Sequence, residues 1–182
     1  CLSADLNIIN FLVNSLNSLV LVLIGIGVFR GLGLSLTNHL DFSYVADIYV
    51  GNDPPQKVRA LFDTGSANTW ILNKKVKARD LHFAYDESLS STAQRTPQKA
   101  YISFGSGSLS GHFFLDDLRV GGCEFCGSTG QLLIKNQKFG NVEREDSIFR
   151  ENFDAIVGLA YPNFAEKGTT PVFDNMIKQK LL

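Results

Sequence analysis

At 182 residues the sequence is long enough for one domain with a real core and hardly for two. Its 45% apolar and 19% charged residues exclude a disordered chain, and a net charge of −1 gives no reason to expect a nucleic-acid partner. Three Cys cannot build a disulfide-dense scaffold, whereas 14 Phe and 16 Gly with few long helical patterns point to β structure with many turns. The sequence contains no internal repeat and no low-complexity tract. It opens on Cys1 rather than Met, from which we expect a fragment or an incomplete gene model.

Residues 1–34 read as a separate hydrophobic segment. No charge occurs between positions 6 and 29, and Leu19 to Phe29 is strongly apolar, while Asn7, Asn10, Asn14, Ser15, Asn17 and Ser18 dilute the earlier half. A membrane-spanning helix needs about 20 apolar residues, for which this run is short. A signal-peptide core of ~7–15 residues fits the length better, although no basic stretch precedes it. The segment thus reads as a secretory signal or signal anchor, as a membrane span over residues 8–29, or as a buried piece of the fold. The first two send the chain into the secretory pathway and allow membrane association.

The character changes from Ser35. Tyr44 to Val50 predicts a strand, and Gly51-Asn52-Asp53-Pro54-Pro55 a loop whose prolines exclude helix. Residues 57–60 alternate polar and apolar with a period of two, the mark of a strand, and the apolar Leu61 and Phe62 then deliver Asp63 at its end. Thr64-Gly65-Ser66 has tight-loop chemistry: Gly65 lets the backbone come close, and the hydroxyls of Thr64 and Ser66 can orient a carboxylate. A bare Asp-Thr-Gly is ordinarily a solvated turn, so its surroundings must decide. Thr69 to Leu72 reads as an apolar strand, residues 73–98 as polar loop, and Lys99–Phe104 with Leu109–Val120 as hairpin arms around the tip Gly105-Ser106-Gly107-Ser108. Further strands are expected over Gln131–Phe139 and Phe153–Ala160. A closing helix has Thr170 as cap, Pro171 at its first position, Asp174 in its first turn and an apolar face of Val172, Phe173, Met176, Ile177 and Leu181.

Four of these stretches, in this order, resemble the pepsin-like aspartic endopeptidases. Leu36 to Asp41 with Ile48-Tyr49-Val50-Gly51 and Pro54-Pro55-Gln56 is similar to the start of the mature enzymes. Phe62 to Trp70 resembles their first catalytic motif, and Tyr101 to Gly111 their flap. Phe153 to Pro162 followed by Thr170 to Asn175 is similar to the end of their amino-terminal lobe. The resemblance covers residues 35–182 and implies an all-β lobe with a flap hairpin and a short terminal helix.

It also implies a mechanism without metal, cofactor or covalent intermediate, in which two carboxyl groups share a proton and a water to hydrolyse a peptide bond. Asp63 would be one of the pair, Ser66 would bond its carboxylate, Gly65 would shape the loop and Thr64 would tie the bases of the active-site loops together. Phe104, Gly105 and Ser106 would contact an extended protein or peptide substrate, with Ile156 beside its side chain or in plain core. Relatives generally carry Tyr where this chain has Phe104, and that hydroxyl reaches the Trp matched here by Trp70. Residues 71–98 contain no Cys, so the small disulfide that follows the Trp in many relatives is absent, and Cys123 with Cys126 is expected to form a local one instead. A thioredoxin-type site would need a βαβ context that is not visible, and His39, His82 and His112 are too scattered to complete a zinc site. No other Asp-Thr-Gly or Asp-Ser-Gly occurs, so the second acid is expected on a missing carboxy-terminal lobe, and a single copy of this chain is expected to be inert. The rival readings are a single-lobe homodimer joined through two copies of Asp63 and a non-catalytic peptide-binding relative.

Overall fold

The computed structural model describes residues 12–14, 18–23, 32–39, 43–76, 83–104, 107–121, 131–146, 148–150 and 153–182. Its strands are β1 Leu12–Asn14, β2 Ser18–Leu23, β3 Leu32–His39, β4 Ser43–Val50, β5 Gln56–Asp63, β6 Thr69–Leu72, β7 Gln94–Phe104, β8 Gly107–Gly121, β9 Gln131–Glu145 and β10 Ala155–Gly158. The one α-helix among the described residues, α1, spans Val172–Lys178. The strands lie in the order β1-β2-β3-β4-β5-β10-β6-β9-β8-β7, and β4 also pairs with β8 through Tyr49↔Arg119 and Val50↔Leu118, which curls the sheet back on itself. The lobe is all-β, as its composition and strand periods imply.

β5 shows how sequence becomes placement. Val58 and Ala60 point into the core and are fully buried, whereas Lys57 is exposed and Arg59 half-buried between them. β5 pairs antiparallel with β4 and parallel with β10, in the register Ala155↔Ala60 through Gly158↔Asp63. β10 is apolar and wholly buried, whereas β4 alternates buried residues with more exposed ones, Asp47 among them. One core layer gathers Ile48, Val58, Ala60, Ile71, Ile134, Phe139 and Val157. The other gathers Trp70, Leu72, Leu109, Phe113, Phe149 and Ile156.

Several boundaries differ from the sequence reading. β7 starts at Gln94 rather than Lys99, because an edge strand tolerates polar residues and a Pro where the register shifts between Arg95 and Lys99. β9 runs on to Glu145 because β8 offers it a partner along its whole length. Thr170 does not cap α1: Pro171 holds the cap position with no side-chain bond, and the Thr170 carbonyl instead accepts from Gln137 Nε2 at 2.9 Å. Ile177, assigned to the apolar face, is 54% exposed, since seven residues turn only one side, carrying Val172 and Met176, to the core. The apolar amino-terminal run is placed in strands where it is described. β2 pairs with β3 from Ser18↔Thr37 to Leu23↔Leu32, and among the described residues no helix is long and apolar enough to cross a membrane. Alternating Leu and Val in 19–23 suits a pleated ladder as well as a helix, and residues 8–11, 15–17 and 24–29 of the expected signal or span lie outside the described residues.

Two buried carboxylates organise the polar part of the interior. Asp116 accepts from the Tyr85 hydroxyl at 2.6 Å and from Thr92. Burial first and then the Asp116 carboxylate push the Tyr85 hydroxyl far above its ordinary range, so it remains a donor. Asp154, with 0% of its surface exposed, precedes β10 and grips β5. Its carboxylate accepts from Arg59 Nε at 2.7 Å, Arg59 Nη2 at 2.8 Å and Arg59 N at 3.1 Å, while its N–H donates to the Arg59 carbonyl at 2.8 Å. This fork fixes the β5–β10 register from the end opposite Asp63. Asp154→Ala should therefore cost about 3 kcal/mol in urea unfolding, because it removes the charge-assisted fork that joins the two strands. A loss under about 1 kcal/mol would show that the fork does not set the register.

Candidate active site

Asp63 is the last residue of β5, half-buried where the strand turns. Its Oδ1 accepts the Gly65 N–H at 2.8 Å and its Oδ2 accepts the Ser66 hydroxyl at 2.5 Å. Both bonds close within three residues, so the loop orients its own carboxylate. Thr64 and Gly65 are exposed, and Ser66 half-exposed. Of the two hydroxyls expected to orient the carboxylate, Ser66 does so; the second donor is the Gly65 backbone, which the loop's sequence does not reveal by side-chain chemistry.

The loop is held from outside as well. Leu159 N donates to the Asp63 carbonyl at 2.8 Å, Ala160 N to the Ser66 carbonyl at 2.9 Å and Gly158 N to the Asn68 carbonyl at 3.1 Å. Asn68 Oδ1 accepts from Glu166 N at 3.0 Å. Thus the end of β10 and the segment after it bind the Asp63 loop backbone at three places. Ile156 itself is 6% exposed, pairs with Trp70 across β10 and β6, and packs in the second core layer.

Trp70 is fully buried against Phe113, and its Nε1 finds no hydrogen-bond partner among the described residues. The β7–β8 hairpin rises beside this layer and pairs Phe104 with Gly107 at its end. Gly105 and Ser106 lie outside the described residues, as do Cys123 and Cys126, so neither the tip contacts nor the disulfide expectation meets a structural observation. Among the described residues no three His, Cys, Asp or Glu side chains gather where a metal ion could be held.

A model of eukaryotic aspartyl proteases matches residues 43–182, most of the chain and all of the strands that build this site. The chain belongs to the eukaryotic aspartyl protease family. Within that family it is similar to chicken pepsin A, at 39% identity over 151 residues that make up 81% of this chain and 38% of pepsin A. Chicken cathepsin D is 37% identical over 153 residues, and Xenopus laevis cathepsin E-B 38% over 151; each match covers 81% of this chain and 36% of the relative. The chain therefore spans well under half the length of the curated relatives it matches.

The geometry of this aspartyl protease lobe makes Gly158 critical to the Asp63 loop. A Cβ on Gly158 would lie 2.5 Å from the Ala67 carbonyl carbon and 2.6 Å from the Ser66 oxygen, closer than real contacts allow. Backbone on both sides cannot yield as a flexible side chain would. Gly158→Ala should lower stability by about 1–3 kcal/mol and displace residues 63–68, seen as shifted amide resonances confined to that loop and β10. Unchanged resonances would mean that the loop can move aside without cost.

Proposed function

We propose that this chain is the amino-terminal lobe of an aspartic endopeptidase, with Asp63 as one of two carboxyl groups that hydrolyse a peptide bond through a shared water. The observation that carries this reading is the Asp63 carboxylate itself. Each oxygen receives one donor, from Gly65 and from Ser66, which leaves lone pairs on both for a water and for the proton of a second acid. Two carboxyl groups that close would share one proton, so the pair offers one ionised and one protonated member. The ionised member takes a proton from the water as its oxygen attacks the peptide carbonyl carbon, and the protonated member gives its proton to the carbonyl oxygen. Collapse of the resulting tetrahedral species, with protonation of the leaving amine, completes hydrolysis and restores the shared proton.

The second acid is assigned to a carboxy-terminal lobe. The sequence has no further Asp-Thr-Gly or Asp-Ser-Gly, and its match covers only 36–38% of the relatives' length. Thr64, exposed at the mouth of the loop, is suited to tie the two lobes' loops together. An extended peptide would lie between that loop and the hairpin, meeting Phe104, Gly105 and Ser106, with Ile156 as part of the floor below. An acidic compartment of the secretory pathway suits this chemistry, and there a local Cys123–Cys126 disulfide could persist.

Asp63→Asn in the protein carrying both lobes should cut pepstatin-sensitive peptide cleavage at about pH 3–5 by roughly 100- to 10,000-fold while leaving peptide binding within a few-fold. Peptide binding without any cleavage by the unsubstituted protein would instead favour a non-catalytic binding module. A second substitution addresses the Trp70 indole, whose Nε1 has no partner among the described residues. Phe104→Tyr supplies the hydroxyl that relatives present to the matching Trp, and one added bond to Trp70 Nε1 should lower KM by about 2- to 10-fold. An unchanged KM would mean that the two side chains do not meet when substrate is bound.

A further inference from the structure

The two arms of the β7–β8 hairpin are held very differently. β7 ends the strand order and has β8 as its neighbour, whereas β8 lies between β7 and β9. Pairing of β8 with β9 continues up the hairpin to Leu109↔Glu145, and beyond that point Asp146 takes over. Its N–H donates to the Ser108 carbonyl at 3.0 Å, and its Oδ2 accepts the Ser108 hydroxyl at 2.5 Å. The Asp146 carbonyl oxygen sits so close to Gly107 that a Cβ there would lie 2.2 Å away, and Gly107 itself has a φ of +149°. Only glycine accommodates both demands.

Asp146 in turn stands on a firm base. The preceding Glu145 carboxylate accepts Ile148 N at 2.8 Å and Phe149 N at 3.4 Å, which winds the chain into a short turn. Phe149 is buried edge-on against Phe153, with ring centres 5.7 Å apart, in the layer that holds Trp70 and Ile156. A continuous path of bonds and packing thus runs from the core beside Asp63 to Ser108, near the hairpin's end.

We propose that Asp146 is a positioning residue that latches the carboxy-terminal arm of the hairpin, from Gly107 on, to the rim of the core. This rests on reading the hairpin as the cover of an aspartic endopeptidase cleft. A peptide then meets an arm already in place, and the ordering entropy that binding would otherwise cost is largely removed. Asp146 touches no reacting atom, so its effect falls on substrate binding rather than on the chemical step.

Hydrogen exchange on the 182-residue chain tests the latch without any need for activity. In Asp146→Ala the amides of residues 107–112 should exchange about 3- to 10-fold faster. Asp146→Asn keeps an acceptor for Ser108 and should stay near the unsubstituted rate. Ser108→Ala should match Asp146→Ala, and the double variant should be no faster than either. Unchanged exchange in Asp146→Ala, or equal acceleration in Asp146→Asn, would overturn the proposal. In the protein carrying both lobes, Asp146→Ala should raise KM for a peptide by about 3- to 10-fold with kcat within about twofold. A fall in kcat at constant KM would also overturn it. If the unsubstituted protein cleaves nothing, the endopeptidase reading fails, and the exchange rates still decide the latch.

Discussion

Asp63 stays where it is because the end of β10 binds the backbone of the loop that carries it. The parallel pairing of β5 with β10 brings Gly158 level with Asp63, and the next two residues donate to the carbonyls of Asp63 and Ser66. That arrangement leaves no room for a side chain at Gly158 and leaves the Asp63 carboxylate to its own local donors. It also depends on the far end of the strand pair, where Asp154 and Arg59 exclude any slip that would carry Asp63 to the other face. Asp63 is thus placed by one strand pair held at both ends.

The division of labour follows from the range of each interaction. Bonds from Gly65 and Ser66 aim the carboxylate over a span of three residues, while bonds from β10 set where the loop sits in the lobe. Trp70 and Ile156 pack in the second core layer with Leu109 of the hairpin, one arm of which is tied through Asp146. A rigid floor and a fixed arm would leave little for a peptide to order, as the proposed endopeptidase function requires.

What could be read in the sequence is what closes locally. The strand pattern before Asp63 and the hydroxyl at Ser66 act within a few residues of themselves, and their roles follow from that spacing. The grip of Asp154 on Arg59 spans 95 positions, and nothing at either residue announces its partner. The same holds for Asp146 and Ser108, which are 38 apart. The first residues of β7, Gln94 to Gln98, are not legible because a strand at the sheet edge keeps a polar face and admits Pro97, nor is the α1 cap, because Gln137 claims the Thr170 carbonyl from another strand. In the amino-terminal run, alternating Leu and Val satisfies strand and helix alike, so hydropathy could not choose between them.

The central claim is that Asp63 is half of a carboxyl pair whose other half lies on a second lobe. Sequencing the transcript past the codon for Leu182 tests it most directly. The account predicts a further ~150–200 residues containing a second Asp-Thr-Gly or Asp-Ser-Gly at the end of an apolar strand. A stop codon directly after Leu182 would contradict it, and Asp63 would then have to meet a second copy of itself or serve a lobe that binds peptides without cutting them.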